Sequence, residues 1–181
     1  MLMRAEISCL LVVDFQERLM PAIHHGDQVV ANGAWLIGIA QRLGVPVLAS
    51  EQYPRGLGPT VRAIRELLPA DAFMEKTHFS CAAELECMRR IDALGRDQIV
   101  MIGAEAHVCV LQTALDLRAV CKDVYLVADG VSSRSPRDVE LALERMRAAG
   151  VRIVSREMVA FEWLHQAGTD RFREISREFL R

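Results

Sequence analysis

The sequence predicts an α/β fold, a three-layer αβα sandwich around a parallel sheet, and three observations carry that prediction. Short apolar runs rich in β-branched residues alternate with helical patterns along the whole chain. Several of these runs are continuously apolar, as strands buried on both faces of a parallel sheet should be. The helical stretches between them have readable ends. Alternation of this kind closes through right-handed crossovers that put helices on both faces of the sheet.

Six runs are strand candidates: Ser8–Val13, Val45–Ser50, Ala72–Glu75, Gln98–Gly103, Val124–Ala128 and Val151–Ser155. After the first, Asp27 is placed to cap a helix whose inward stripe is Val29, Leu36, Ala40 and Leu43, ending at Gly44. Thr60 is placed to cap a short helix through Ile64 and Leu67, stopped by Pro69, and Ser80 another through Leu85 and Met88 to Gly95. A further helix starts near His107 with Val110, Ala114, Leu117 and Cys121 inward. The clearest start is Ser135 followed by Pro136; Val139, Ala142, Leu143 and Met146 then recur at helical spacing, and Gly150 closes the element. There is no internal repeat, linker or low-complexity tract.

With 181 residues and 20.3 kDa, one domain over residues 1–181 is expected. Twenty-two Lys and Arg against 24 Asp and Glu give a formal net charge of -2. That balance argues against nucleic acid or an anionic membrane as the main partner, since both are bound through excess positive charge; the partner expected is a small-molecule substrate. The five cysteines are odd in number and irregular in spacing, which fits neither a disulfide framework nor a C-x-x-C site. The first apolar run, Cys9–Val13, is too short for a signal peptide or a membrane span. A reduced, cytoplasmic, soluble protein is expected.

Ligands of such sheets sit outside the carboxyl ends of the strands, and three post-strand residues stand out. Asp14 closes Leu11-Val12-Val13-Asp14-Phe15-Gln16, Lys76 follows the third run, and Cys109 lies after the fourth. In the first turn of a helix, Cys109 would meet unpaired amides and the positive dipole end, which lower a thiol's pKa; otherwise it is a small packing residue. Asp14 is either a loop-bonding carboxylate or a general base toward the thiol. Lys76 is either a solvated surface lysine or a cation that keeps the carboxylate ionised and depresses the thiol pKa. Cys9, Cys81, Cys87 and Cys121 read as packing residues, as does His78. His107 reads as a helix-start residue at the pocket edge or against an adjacent subunit. Asp129, Ser132 and Arg134 read as capping and ion-pairing groups. Phe15, Gln52, Tyr53 and Phe79 are candidate linings of a small apolar pocket with a few polar groups.

Several stretches together resemble the isochorismatase-like cysteine hydrolase superfamily, and most of all its subgroup of isochorismatase domain-containing proteins. They are Val13-Asp14-Phe15-Gln16, Glu51-Gln52-Tyr53-Pro54, Gly56-Leu57-Gly58-Pro59-Thr60, Lys76-Thr77-His78-Phe79-Ser80, Gly103 through Leu117, and Ala128 through Arg134. The resemblance implies a Rossmann-like, six-stranded parallel sheet and a catalytic triad of Asp14, Lys76 and Cys109. It also implies a cis peptide at Ala104–Glu105, aiming the Glu105 and Cys109 backbone N–H groups at one point as an oxyanion hole. Metal-using nicotinamidases of the superfamily carry an Asp-x-His pair and a further His after the second strand. Here Ser50-Glu51-Gln52-Tyr53-Pro54-Arg55 has no histidine, so neither a metal nor another cofactor is expected. Members that split the vinyl ether of isochorismate can do so without a cysteine, so Cys109 points instead to acyl chemistry on a small amide or imide. A homo-oligomer is implied as well.

Two other readings remain. One is a binding or regulatory protein that keeps the hydrolase fold but turns little over. The other, a nucleotide-binding domain, lacks both G-x-G-x-x-G after the first strand and any G-x-x-x-x-G-K-[ST].

Overall fold

A computed structural model describes residues 1–180. Six parallel strands form one sheet: β1 Ser8–Val13, β2 Val47–Gln52, β3 Phe73–Lys76, β4 Gln98–Ala104, β5 Asp123–Ser132 and β6 Arg152–Val154. Their order across the sheet is β3-β2-β1-β4-β5-β6. The chain winds outward from β1 to β3, then returns to lay β4 on the free side of β1. The strand order therefore reverses between β1 and β4, and the crevice opens where their carboxyl ends diverge.

The helices are α1 Gly26–Arg42, α2 Pro54–Leu57, α3 Arg62–Arg65, α4 Leu85–Ala93, α5 Leu111–Ala119, α6 Pro136–Ala148, α7 Arg156–Leu164 and α8 Asp170–Phe179. Strand alternation divides the core in two. Leu10 and Val12 of β1 face the layer of α1, α7 and α8, with Leu36, Val159 and Ile175. Cys9, Leu11 and Val13 face the layer of α4, α5 and α6, with Ile91, Leu117 and Met146. Every residue of β1 and β4 is buried, which is why their apolar runs show no alternation. Among the described residues no helix is long and apolar enough to cross a membrane.

Strand ends match the sequence reading to within two residues, except in β5. There Asp129-Gly130 continues the strand instead of ending it, across a register shift between Met101 and Gly103 of β4. Gly103 (φ +147) is where β4 presses on β1: a Cβ there would lie 2.2 Å from the Val13 carbonyl oxygen. The α1 stripe is buried as read, but the helix begins at Gly26 after a left-handed His25, ahead of Asp27. Thr60 does not cap α3, because its amide and hydroxyl both donate to Glu51 Oε1, at 2.7 and 2.8 Å. The Ser80 hydroxyl accepts from the Ala82 amide at 3.1 Å and caps only a short 3-10 turn, Cys81–Ala83. Helix α4 follows with Leu85 exposed and Cys87 and Ile91 inward. Ser135 caps α6 as expected. Two helices escaped the sequence reading although their caps were visible: Ser155 accepts from Met158 at the start of α7, and Thr169 from Phe172 at the start of α8.

Candidate active site

The structure brings Asp14, Lys76 and Cys109 together at the crevice. Asp14 leaves β1 with a left-handed backbone (φ 54) and a side chain wholly removed from solvent. Its Oδ1 accepts from the Ser50 hydroxyl at 2.7 Å and its Oδ2 from Lys76 Nζ at 2.8 Å. Lys76 is the last residue of β3, and its side chain is fully buried with the ammonium at the site. That ammonium donates to Gln52 Oε1 at 2.6 Å, Asp14 Oδ2 at 2.8 Å and the Phe79 carbonyl at 2.9 Å. An ammonium has three N–H bonds, so Lys76 acts on its surroundings through its charge and has no donor left for a ligand.

Cys109 does not sit in the first turn of an ordinary α-helix. A π-helical turn, Ala106–Val110, precedes α5, and the Glu105 carbonyl accepts from the Val108 and Val110 amides at 3.1 and 3.2 Å. The peptide Ala104–Glu105 is cis. The Cys109 side chain turns inward beside Asp14 and Lys76, with Sγ 4.0 Å from Gln52 Oε1 and the residue 6% exposed. This corrects the expected lowered thiol pKa. Burial pushes the thiol up, the Asp14 carboxylate pushes it further, and Lys76 opposes them without prevailing. At rest Cys109 is a thiol. Burial also raises Asp14 above the usual carboxylate range against the pull of Lys76 and Ser50. Lys76 keeps its proton: burial works against the ammonium, and the Asp14 charge and hydrogen bond oppose it and hold the lysine above its ordinary value.

The four candidate lining residues divide. Phe15 is fully buried in the core, close to Gly33 of α1, and offers no surface to a ligand; an aromatic directly after a buried strand continued the core. Gln52 is part of the polar network. Tyr53 and Phe79 are half exposed. Tyr53 with Arg55, Lys76, Thr77 and Glu84 lines a cleft of about 390 Å³. A hollow of about 450 Å³ lies at the opposite end of the sheet, around Pro46, Val47 and Leu68, away from these groups.

Of the other cysteines, Cys9 and Cys81 are buried with thiols pushed up to about 12, and Cys87 to about 11, as packing residues should be. Cys121 is exposed, not packed, because α5 ends at Ala119 and the chain turns through a left-handed conformation at Cys121 (φ 64). His78 is exposed and pairs with Glu84 at 2.9 Å instead of packing. His107 Nδ1 meets the Ser133 hydroxyl at 2.9 Å. Asp129 accepts the Arg156 amide at the start of α7 at 2.8 Å, Ser132 donates to the His24 carbonyl at 2.7 Å, and Arg134 pairs with Glu105 at 2.7 Å.

Sequence reasoning missed three supports. Ser50 holds Asp14. Gln16 pins the end of β2, its Oε1 accepting the Gln52 amide at 2.7 Å and its Nε2 donating to the Gln52 carbonyl at 3.0 Å. Glu84 Oε1 gathers the Thr77 amide, the Thr77 hydroxyl and the His78 amide at 2.7, 2.9 and 3.0 Å, tying down the loop that presents the Phe79 carbonyl to Lys76. The His78 and Thr77 donors hold the Glu84 carboxyl at about 2 instead of 4.5. A depressed carboxyl stabilises the fold above its unfolded pKa and loses that contribution as pH falls through its folded one. Glu84→Gln should therefore be less stable than the parent at neutral pH. The gap should narrow below about pH 4.5 and close near about pH 2, as read by urea unfolding across that range.

A doubly wound parallel sheet with a buried polar site at its switch point is the architecture of the isochorismatase-like class, which includes hydrolases. The model of the isochorismatase domain matches residues 8–158, and the chain belongs to that family. It is 38% identical over 162 residues to isochorismatase domain-containing protein 1 of Salmo salar, covering 90% of this chain and 57% of that protein, so it spans less than three-fifths of that relative's length. Among solved structures it matches the MAR1 ribonuclease of Caenorhabditis elegans with TM-score 0.93 and 31% identity, over 100% of this chain and 93% of that one. It matches the YcaC gene product of Escherichia coli, described as an octameric hydrolase of unknown specificity, with TM-score 0.92 over 99% of this chain and 91% of that one; at 20% identity this is a likeness of fold.

The likeness to a ribonuclease corrects the expectation that nucleic acid is no partner. Net charge governs long-range attraction; it does not decide what a local site accepts, and a balance of -2 was too coarse an observation to exclude RNA.

Proposed function

We propose that the chain is a cofactor-independent cysteine hydrolase of a small amide, imide or related acyl compound. What supports this reading above all is a fully buried Asp14–Lys76 pair, 2.8 Å apart, beside the Cys109 thiol at the crevice between β1 and β4. A buried ion pair with every ammonium hydrogen used is a poor way to gain stability and a good way to hold a base rigidly. Asp14 takes the Cys109 proton as sulfur bonds to the carbonyl carbon and the carbonyl π pair moves to oxygen. Backbone N–H groups of Glu105 and Cys109 receive that oxyanion, and the Lys76 charge steadies it at a distance. The oxyanion collapses, the C–N bond breaks, and the leaving nitrogen takes the proton from Asp14. Water then attacks the thioester while giving a proton to Asp14; collapse releases the acid, and Asp14 returns its proton to sulfur. When Asp14 is protonated the negative charge sits on the oxyanion instead, so the site as a whole keeps one negative charge against the Lys76 ammonium throughout.

The test is a panel of small amides, imides and thioesters incubated with the purified chain. Turnover is expected on at least one of them, with a covalent acyl adduct on Cys109 seen by mass spectrometry. Cys109→Ala should abolish both. Full turnover by Cys109→Ala would refute the mechanism, and no turnover by the parent on any panel member would favour the binding protein.

A second reading is favoured by the 31% identity to the ribonuclease of Caenorhabditis elegans. In it the same Asp14 would take a proton from an RNA 2′-hydroxyl, and Cys109 would be dispensable. RNA cleavage that survives Cys109→Ala and fails in Asp14→Asn would select it. Self-association is proposed from the octameric YcaC likeness and is read by light scattering.

A further inference from the structure

We infer that Gln52 is a positioning residue whose neutrality, as much as its shape, keeps Asp14 able to accept the Cys109 proton; this rests on the reading of Cys109 as nucleophile. Gln52 is the last residue of β2 and lies directly across from Lys76 of β3. Its amide is oriented without ambiguity: Nε2 donates to the Thr77 carbonyl at 2.7 Å, so Oε1 must face the Lys76 ammonium, at 2.6 Å. The backbone is pinned on both sides by Gln16. That same Oε1 is 4.0 Å from Cys109 Sγ. One neutral oxygen thus fills the lysine's second hydrogen-bonding position and borders the sulfur.

The charge count explains why an amide stands there. Asp14 and Lys76 cancel, and proton transfer from Cys109 to Asp14 only moves the negative charge. A carboxylate at position 52 would compete with Asp14 for the same ammonium and face the forming thiolate across about the same gap. Such a like charge raises the thiol pKa. A protonated carboxyl, by contrast, reproduces the amide: its C=O accepts from Lys76 and its O–H donates to the Thr77 carbonyl. Gln52→Glu should therefore behave as the parent when the introduced carboxyl is protonated and fail when it ionises. A residue that merely packs would give a defect independent of pH.

The readout is the rate of Cys109 alkylation by iodoacetamide, mapped by mass spectrometry, with exposed Cys121 as internal reference. Burial and the neighbouring Asp14 carboxylate should hold the introduced carboxyl above the ordinary glutamate range, so the parent-to-variant ratio for Gln52→Glu should be within about twofold near about pH 5 and reach at least about tenfold near about pH 8. Gln52→Met, which fills the space without an acceptor, should be slowed by a factor that changes little with pH, and thermal melts report whether each variant folds. A flat ratio for a folded Gln52→Glu, or a Gln52→Met that labels like the parent, overturns the inference. If instead Cys109 of the parent fails to label, or labels no more slowly in Asp14→Asn, the nucleophile reading itself has failed.

Discussion

Asp14→Asn should lower kcat/KM on an acyl substrate by about a hundredfold to ten-thousandfold while the chain still folds, because general-base assistance is worth that much. The resting Cys109 is a thiol, so attack depends on a proton acceptor at the moment sulfur meets carbon, and Asp14 is the carboxylate placed to accept. Asparagine has nearly the same shape. Its carbonyl can accept from Lys76 and its NH₂ can donate to the Ser50 oxygen, so the hydrogen bonds survive while the basicity and the charge paired with Lys76 are removed, and the folded variant should be less stable than the parent. The pH profile separates this from general damage. In the parent, activity should rise as Asp14 ionises, and because burial raises its pKa the rise falls above the range of a free carboxylate. Asp14→Asn should lose that limb. A variant that keeps both the limb and the rate would assign the base elsewhere.

The sheet was legible because burial on both faces leaves a direct mark, an unbroken apolar run, and Ser8–Val13 was read to the residue. Asp14 and Lys76 were legible for a related reason. A charged residue at the carboxyl end of such a run has to be placed at the mouth of the sheet. What the runs cannot carry is competition between distant polar groups. Thr60 looks like a cap until Glu51 takes its donors, and Gln16, Ser50 and Glu84 look like ordinary polar residues until the fold assembles their partners. The thiol pKa was misread for the same reason. The start of a helix was visible at His107, but the π turn and the degree of burial, which decide the sign, are tertiary facts. Phe15 marks the opposite error, a residue next to the site in sequence that belongs to the core in space.

Lys76→Met should be the most disruptive single change to stability at the site. Asp14 has a side chain with no solvent exposure, and Lys76 supplies the ammonium paired with it at 2.8 Å. Removing one partner of a buried pair leaves the other uncompensated, which costs about 3–5 kcal/mol. The Ser50 hydroxyl and the Cys109 thiol are then the side-chain donors left to the carboxylate, and neutral donors cannot replace a charge. Asp14 escapes by binding a proton, so its pKa in the variant should climb beyond its already raised value. A raised carboxyl makes the folded state bind more protons than the unfolded one, so stability recovers as pH falls through the folded pKa. Urea unfolding should show the full loss near about pH 8 and a smaller one near about pH 5. The protonated carboxyl is no longer a base, so activity should vanish across the range in which stability is partly regained. Adding Asp14→Asn to Lys76→Met should restore part of the lost stability at the higher pH, because no buried charge then remains to be neutralised. Strict additivity of the two losses would mean that the pair is not coupled, and that Lys76 does not hold the charge of Asp14.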